Sequence, residues 1–401
     1  NVKQRDSRKQ HVDISIQFGG GAAAQSARWP GLASYLGAWA NGGLLRHSPE
    51  EIEELSRANV MSRSVGTNME NFERTISARS EDLRYALELN AAYFSEPAFA
   101  TNEWKKVWST QLAARSAKRL SLEGMGELEI NPSLASGDTR LAVPGLIRAF
   151  FYRRATFVRW FEPILKESPM EIAIVGDIDP AQAIAEVART FGTLPARRRE
   201  RSAADGLPWQ PLAQPVQGTL AYPSASQRSL VYFAWQEADA TGFPERQKLT
   251  LLAAILDDRV RKKIRGELGS TYSPQTGLLH EDHSPNFTYL VCQVETSPEK
   301  AVGVRAMMAE IAGSLVEQGL AEEEIERARA PMMTAQLSAV ESAAYWVELL
   351  ADAQSNPAKL KWSQEKTNRL RALTRAELET AARDYLCTDR LSVFLVEPKK
   401  R

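Results

Sequence analysis

At 401 residues the chain exceeds the comfortable size of one hydrophobic core, so two domains of roughly 200 residues are expected. Fifty Lys and Arg balance fifty Asp and Glu, and neither end carries a block of like charge, which argues against nucleic acid or an anionic membrane as partner. Cys292 and Cys387 cannot make a disulfide framework, no apolar run approaches the ~20 residues of a membrane span, and Asn1 opens a charged stretch rather than a secretory signal. A start at Asn rather than Met reads as a processed chain or as part of something longer.

Val12–Phe18 alternates apolar and polar residues at the period of a half-buried strand, and Gly19-Gly20-Gly21 ends it. Pro30 opens a predicted helix over Gly31–Asn41, with Leu32, Tyr35, Leu36 and Trp39 on one face. Ser48-Pro49-Glu50-Glu51 is a second helix start, with Ser as N-cap. Strands are predicted at Val60–Val65 and Phe72–Ser77. Ser80 then opens a long helix with an apolar stripe through Leu83, Ala86, Leu87, Leu89, Ala92 and Phe94. Another helix follows from Thr101 to about Leu120.

Glu123–Arg140, rich in Gly, Ser and Asn, reads as a long loop. A helix is predicted over Pro144–Lys166, a buried strand at Met170–Val175, and a helix from Asp179-Pro180 to about Phe191. Gly192–Gly218 holds four prolines and the basic run Arg197–Arg201, and is the linker candidate. Beyond it come a strand at Leu230–Trp235, a helix from Pro244 to Leu268, and strands at Tyr272–Leu279 and Phe287–Val294. Helices are predicted from Ser297-Pro298 to about Gln318 and from Ala321 onward. The chain closes with a helix over Thr374–Leu386 and a strand at Leu391–Val396.

The same order of elements is thus written twice. Val12–Phe18 matches Leu230–Trp235, Gly31–Asn41 matches the helix after Pro244, and Met170–Val175 matches Leu391–Val396. The economical reading is α+β: two homologous domains, 1–200 and 219–401, each a mostly antiparallel sheet with helices packed on one face.

Three stretches carry a resemblance. They are Arg265-x6-Tyr272-Ser273 at a helix-to-strand corner, Gly176-Asp177 ahead of Leu194-Pro195, and Trp29-Pro-Gly-Leu-Ala-Ser-Tyr-Leu-Gly-Ala38. The order of elements and these motifs resemble the pitrilysin/insulinase family of zinc metallopeptidases, across essentially the whole chain. An active member carries His, Glu and His on the helix that here spans Trp29–Ala38. The imidazoles hold zinc and the carboxylate holds the attacking water. This chain has Ser34, Gly37 and Ala38 there, and Thr110-Gln111-Leu112 around the place of the downstream glutamate ligand. No zinc is expected on this chain.

The resemblance therefore implies the zinc-free half of such an enzyme, most like the C-terminal half of a large bacterial four-domain member. Zinc would sit in a complementary homologous half, of the same polypeptide or a separate subunit. This half would close a chamber around a peptide or unfolded polypeptide, with Arg265 and Tyr272 donating to the substrate carbonyl and to the developing oxyanion. A bacterial periplasmic setting is implied on the same basis. Taken without the resemblance, Arg265 is a cation at a helix C-terminus and Tyr272 an ordinary strand residue. The alternative function is an inactive homologue kept as an assembly scaffold; an independent zinc peptidase is disfavoured by Ser34, Gly37 and Ala38.

Other candidates are weaker. His280-Glu281-Asp282-His283 reads as a solvated hairpin tip able at most to bind metal adventitiously. His11 and His47 are isolated. Gly19-Gly20-Gly21 lacks the lysine and spacing of a phosphate loop, and offers at most a strand edge to an extended peptide. The aromatic run from Phe150 to Phe161 reads as core or domain seam.

Overall fold

The computed structural model describes residues 1–5, 9–141, 145–200, 206, 208–223, 227–237, 242–268, 274–282 and 284–399. The first sheet contains β1 (Val2–Gln4), β2 (His11–Phe18), β3 (Ser62–Thr67), β4 (Phe72–Arg79) and β5 (Met170–Gly176), in the order β1-β5-β2-β4-β3. The second contains β6 (Gln217–Tyr222), β7 (Ser229–Gln236), β8 (Pro274–Glu281), β9 (Ser284–Thr296) and β10 (Leu391–Pro398), in the order β6-β10-β7-β9-β8. Position for position the two orders coincide. In each, one edge pair is parallel, β1 with β5 and β6 with β10, and every other pairing is antiparallel.

The duplication read from the sequence is therefore a duplication of topology, and the α+β class holds. β1 and β6 escaped the sequence reading because Val-Lys-Gln and Gln-Gly-Thr-Leu-Ala-Tyr show no clean alternation; their partners β5 and β10 supply the register.

The alternation along β2 aims Val12, Ile14, Ile16 and Phe18 at one face, where all four are buried in the first core and Phe18 meets Phe94 of helix Leu83–Ser95 and Phe161 of helix Arg154–Glu167. Phe18 lies at the centre of an aromatic core, with ring centroids 5.0 Å from Phe94, 5.6 Å from Trp39 and 5.6 Å from Phe72. In the second core, Leu249, Leu252, Ile255, Leu256, Val260 and Ile264 form the stripe by which helix Phe243–Leu268 packs on its sheet.

Three expectations need correction. Glu123–Arg140 is not a loop. It runs through helix Leu122–Met125, a π-helical turn Gly126–Ile130 and helix Asn131–Leu134, with Leu122, Met125, Ile130 and Leu134 all buried. Gly and Ser mask that apolar spacing when only composition is read. The expected helix Gly31–Asn41 is a 3-10 turn, Leu32–Tyr35, followed by one α turn, Gly37–Ala40. The expected helix Pro144–Lys166 breaks between Leu146–Phe150 and Arg154–Glu167, where Arg153 is extended.

The chain forms two compact units that are not contiguous in sequence. One comprises residues 1–114, 143–207 and 337–363; the other comprises 115–142, 208–336 and 364–401. In the first unit helix Ala343–Leu350 lies against β5 and β2, and the Glu171 carboxylate accepts from the N–H groups of Gln354 (2.9 Å) and Ser355 (2.7 Å). In the second unit the Tyr289 hydroxyl donates to the Leu134 carbonyl at 2.7 Å and accepts from the Leu212 N–H at 3.0 Å. The proline-rich stretch after Gly192 is anchored as well. Arg197 donates to the carbonyls of Leu165 and Ser168 within the first unit. Trp209 is only 2% exposed in the second and stacks edge-on against Phe287.

Candidate functional site

Arg265 stands exposed near the end of helix Phe243–Leu268, directly after the buried Ile264 that closes the apolar stripe. One turn earlier, Arg261 pairs with Asp257 at 2.7 Å and reaches the Pro274 carbonyl at 3.3 Å, so the helix end is tied to the first residue of β8. Lys263 pairs with Glu267 at 2.8 Å. Arg265 itself makes no hydrogen bond or ion pair to another described residue, and is available as a donor. Tyr272, with Gly269–Ser273, lies outside the described residues.

In the first unit Ser34, Gly37 and Ala38, where the resemblance places the zinc motif, do not share one face. Ser34 is exposed, and its hydroxyl donates to the Gly31 carbonyl at 2.6 Å. Gly37 looks across at helix Thr101–Lys118, where a Cβ would meet Val107 Cγ2 at 3.3 Å. Ala38 points into the core and is buried. On the facing helix Thr110 is exposed, and Gln111 and Leu112 are half-buried. A hydroxyl already engaged by a backbone carbonyl, a hydrogen and a buried methyl do not fit a zinc ion, which needs several nitrogen, sulfur or carboxylate donors converging on one point. Among the described residues no group of three His, Cys, Asp or Glu converges to hold a metal.

The lesser candidates have structural employment. Asp282 is paired with Arg246 at 2.7 Å, and Arg246 lies over the Phe243 ring. His280 is exposed on β8, and His283 is outside the described residues. His11 Nε2 lies 2.7 Å from Ser77 Oγ and 3.2 Å from Asp13 Oδ1; His47 Nδ1 is 3.8 Å from Glu51 Oε2. After Gly19-Gly20-Gly21, the N–H groups of Ala22 and Ala23 donate to the Asn68 and Met69 carbonyls. These two donors are spent within the chain.

Sequence reading missed how the aromatic residues around the Trp29–Ala38 stretch assemble. Trp29, Tyr35, Trp104, Trp108, Phe150 and Tyr152 come from three separate segments and meet at centroid distances of 5.0 to 5.8 Å. The Tyr152 hydroxyl donates to the Pro30 carbonyl at 2.5 Å and Trp108 Nε1 to the Ala149 carbonyl at 3.3 Å. The signal was present only as an unusual density of aromatics between Phe150 and Phe161.

Residues 154–332 match the family model of the peptidase M16 inactive domain. Over that stretch, somewhat under half of its length, the chain is similar to an M16 inactive domain. No curated protein matches the sequence. Among solved structures, the chain is similar to a peptidase M16 inactive domain from Pseudomonas fluorescens, at 17% identity and a TM-score of 0.85, covering 100% of this chain and 95% of that one. It is also similar to the periplasmic protease PqqL of Escherichia coli, at 16% identity and a TM-score of 0.78, covering 98% of this chain but 43% of PqqL. A third is the ferredoxin protease FusC in complex with Arabidopsis ferredoxin, at 13% identity and a TM-score of 0.78, with 100% of this chain and 44% of FusC covered. At these identities the likenesses establish the fold. No helix among the described residues is long and apolar enough to cross a membrane.

Proposed function

We propose that this chain is the zinc-free half of an M16 metallopeptidase, working with a homologous half that holds the metal. The observation that carries the reading is the match of residues 154–332 to the M16 inactive domain together with Ser34, Gly37 and Ala38 where the resemblance places the zinc motif. The coverage supports it too, since this chain spans 43% of PqqL and 44% of FusC, about half of each. In this reading Arg265, exposed and without a partner among the described residues, and Tyr272 donate hydrogen bonds to a peptide carbonyl and to the oxyanion formed as water attacks. The zinc half supplies the Lewis acid and the general base; this half binds and orients the polypeptide and closes the chamber around it. A periplasmic site is proposed from the likeness to PqqL alone.

The test is reconstitution. Purified chain mixed with, or fused to, its zinc-bearing half should cleave a fluorogenic peptide. Arg265→Ala and Tyr272→Phe should then each lower kcat/KM by about 10²–10³, the usual cost of one oxyanion donor. Unchanged turnover in both variants would remove the assigned role. A tight complex that cleaves nothing would instead support the scaffold reading.

A further inference from the structure

The first unit has a face unlike the rest of this charge-balanced chain. Residues 18–49, 104–114 and 145–161 contain eight Lys or Arg and no Asp or Glu; Glu50, Glu103 and Glu162 adjoin them, and Glu103 is spent on Lys106. The three segments meet there: Tyr35 stacks on Trp104 at 5.0 Å, Trp29 and Tyr152 lie 5.5 Å apart, and Trp108 and Phe150 5.6 Å apart. Out of this packed base project Ile147, Phe150 and Phe151, which are 80%, 55% and 57% exposed. Three large apolar side chains exposed within five residues form a contiguous patch of the kind that marks an interaction surface.

Cations rim the patch. Arg148 donates to the Arg28 carbonyl at 2.8 Å, and Arg153 to the Phe150 carbonyl at 3.0 Å. Arg28 lies over the Trp29 ring, 5.5 Å from its centroid. None of these three guanidiniums is paired with a carboxylate among the described residues. Each is instead braced by backbone or ring, with further N–H groups left to offer.

We propose that this face docks an extended acidic polypeptide segment that carries apolar side chains. Apolar residues of such a segment would cover Ile147, Phe150 and Phe151, while its carboxylates would take the forked donors of Arg28, Arg148 and Arg153. The fixed guanidiniums favour a polypeptide over an anionic bilayer. Membrane-surface helices reach headgroups with flexible cations above a long inserted apolar face, whereas here the patch helix Leu146–Phe150 is five residues long and its arginine is tied down beside the rings. The docking does not depend on the zinc-bearing half or on cleavage.

The test uses the full chain and a fluorescein-labelled peptide of about twelve residues alternating Glu and Phe, with two controls: Lys in place of Glu, and Ser in place of Phe. Anisotropy should show the Glu/Phe peptide binding at least tenfold more tightly than either control, with affinity falling as salt rises. The pair Arg148→Glu and Arg153→Glu, and separately the pair Phe150→Ser and Phe151→Ser, should each weaken it about tenfold or more. All four positions are exposed, and circular dichroism would verify that the variants fold. Equal affinity for the Lys peptide, or binding indifferent to both pairs, would overturn the proposal. So would binding to phosphatidylserine vesicles, or self-association in sedimentation, that the Phe150 and Phe151 pair abolishes while peptide binding persists.

Discussion

Arg74 carries a guanidinium into the core of the first unit, where it is 1% exposed and has no ion pair among the described residues. Its Nε donates to Asn90 Oδ1, and its guanidinium carbon lies 4.1 Å from the Tyr93 ring centroid and 5.0 Å from that of Trp39. Burial, and then the neighbouring Arg63, push its pKa down to about 9. Burying a lone cation costs several kcal/mol; two cation–π contacts of ~0.5–2 kcal/mol each and a charged hydrogen bond of ~1.5–3 kcal/mol offset most of that. Arg74→Met, which keeps the volume and removes the charge, should therefore change stability by less than about 1 kcal/mol in urea unfolding. A loss above ~3 kcal/mol would mean that the rings and Asn90 outweigh burial by far.

Glu324 works in the opposite sense. Arg259 donates to both of its oxygens, at 2.9 and 2.8 Å, and this holds the carboxyl below its ordinary value of 4.5. A depressed carboxylate stabilises the fold above its unfolded pKa and loses that contribution as pH falls through the folded one. Glu324→Gln should cost about 1–2 kcal/mol at pH 7. The gap from the parent should close as pH falls from about 5 to 3, as read from Tm against pH. A gap that does not change with pH would assign the loss to packing.

At the scale of elements, Gly176 shows how one residue fixes the end of a strand. A Cβ there would lie 2.2 Å from the His11 carbonyl oxygen and 2.7 Å from Val12 Cα, both backbone atoms of the neighbouring strand β2. Neither can move without breaking the β2–β5 ladder, so Gly176→Ala should cost about 3 kcal/mol or more, measured by chemical denaturation. Strands with a clean period of two, such as β2, were legible in the sequence because burial on one face dictates that period. So was the helix after Ser48, where the predicted cap is present with Glu51 returning to the Ser48 N–H. What stayed illegible depended on distant partners. β1 and β6 are strands because β5 and β10 lie beside them, and residues 122–134 are helical because the second unit buries Leu122, Met125, Ile130 and Leu134. The candidate residues divide the same way: Ser34, Gly37 and Ala38 could be singled out by residue type, while the cation-rimmed aromatic face needed three segments brought together.

At the scale of the whole molecule, the two units each recruit a segment from the other half of the sequence. Residues 337–363 complete the first, including the Gln354 and Ser355 N–H groups that bind Glu171, and residues 115–142 complete the second. A fragment ending at residue 207 lacks the former. It should unfold without a cooperative transition, and a peptide of residues 337–363 should restore one; a fragment that melts sharply alone would show that the segment is dispensable. The central proposal is that this chain holds no catalytic zinc and acts through a partner half. The direct measurement is metal content together with turnover. After equilibration with zinc and removal of loosely bound ion, the chain alone should retain well under one zinc per molecule and cleave no peptide, and the zinc-bearing half should restore cleavage. One tightly held zinc per chain, with hydrolysis by this chain alone, would contradict the account.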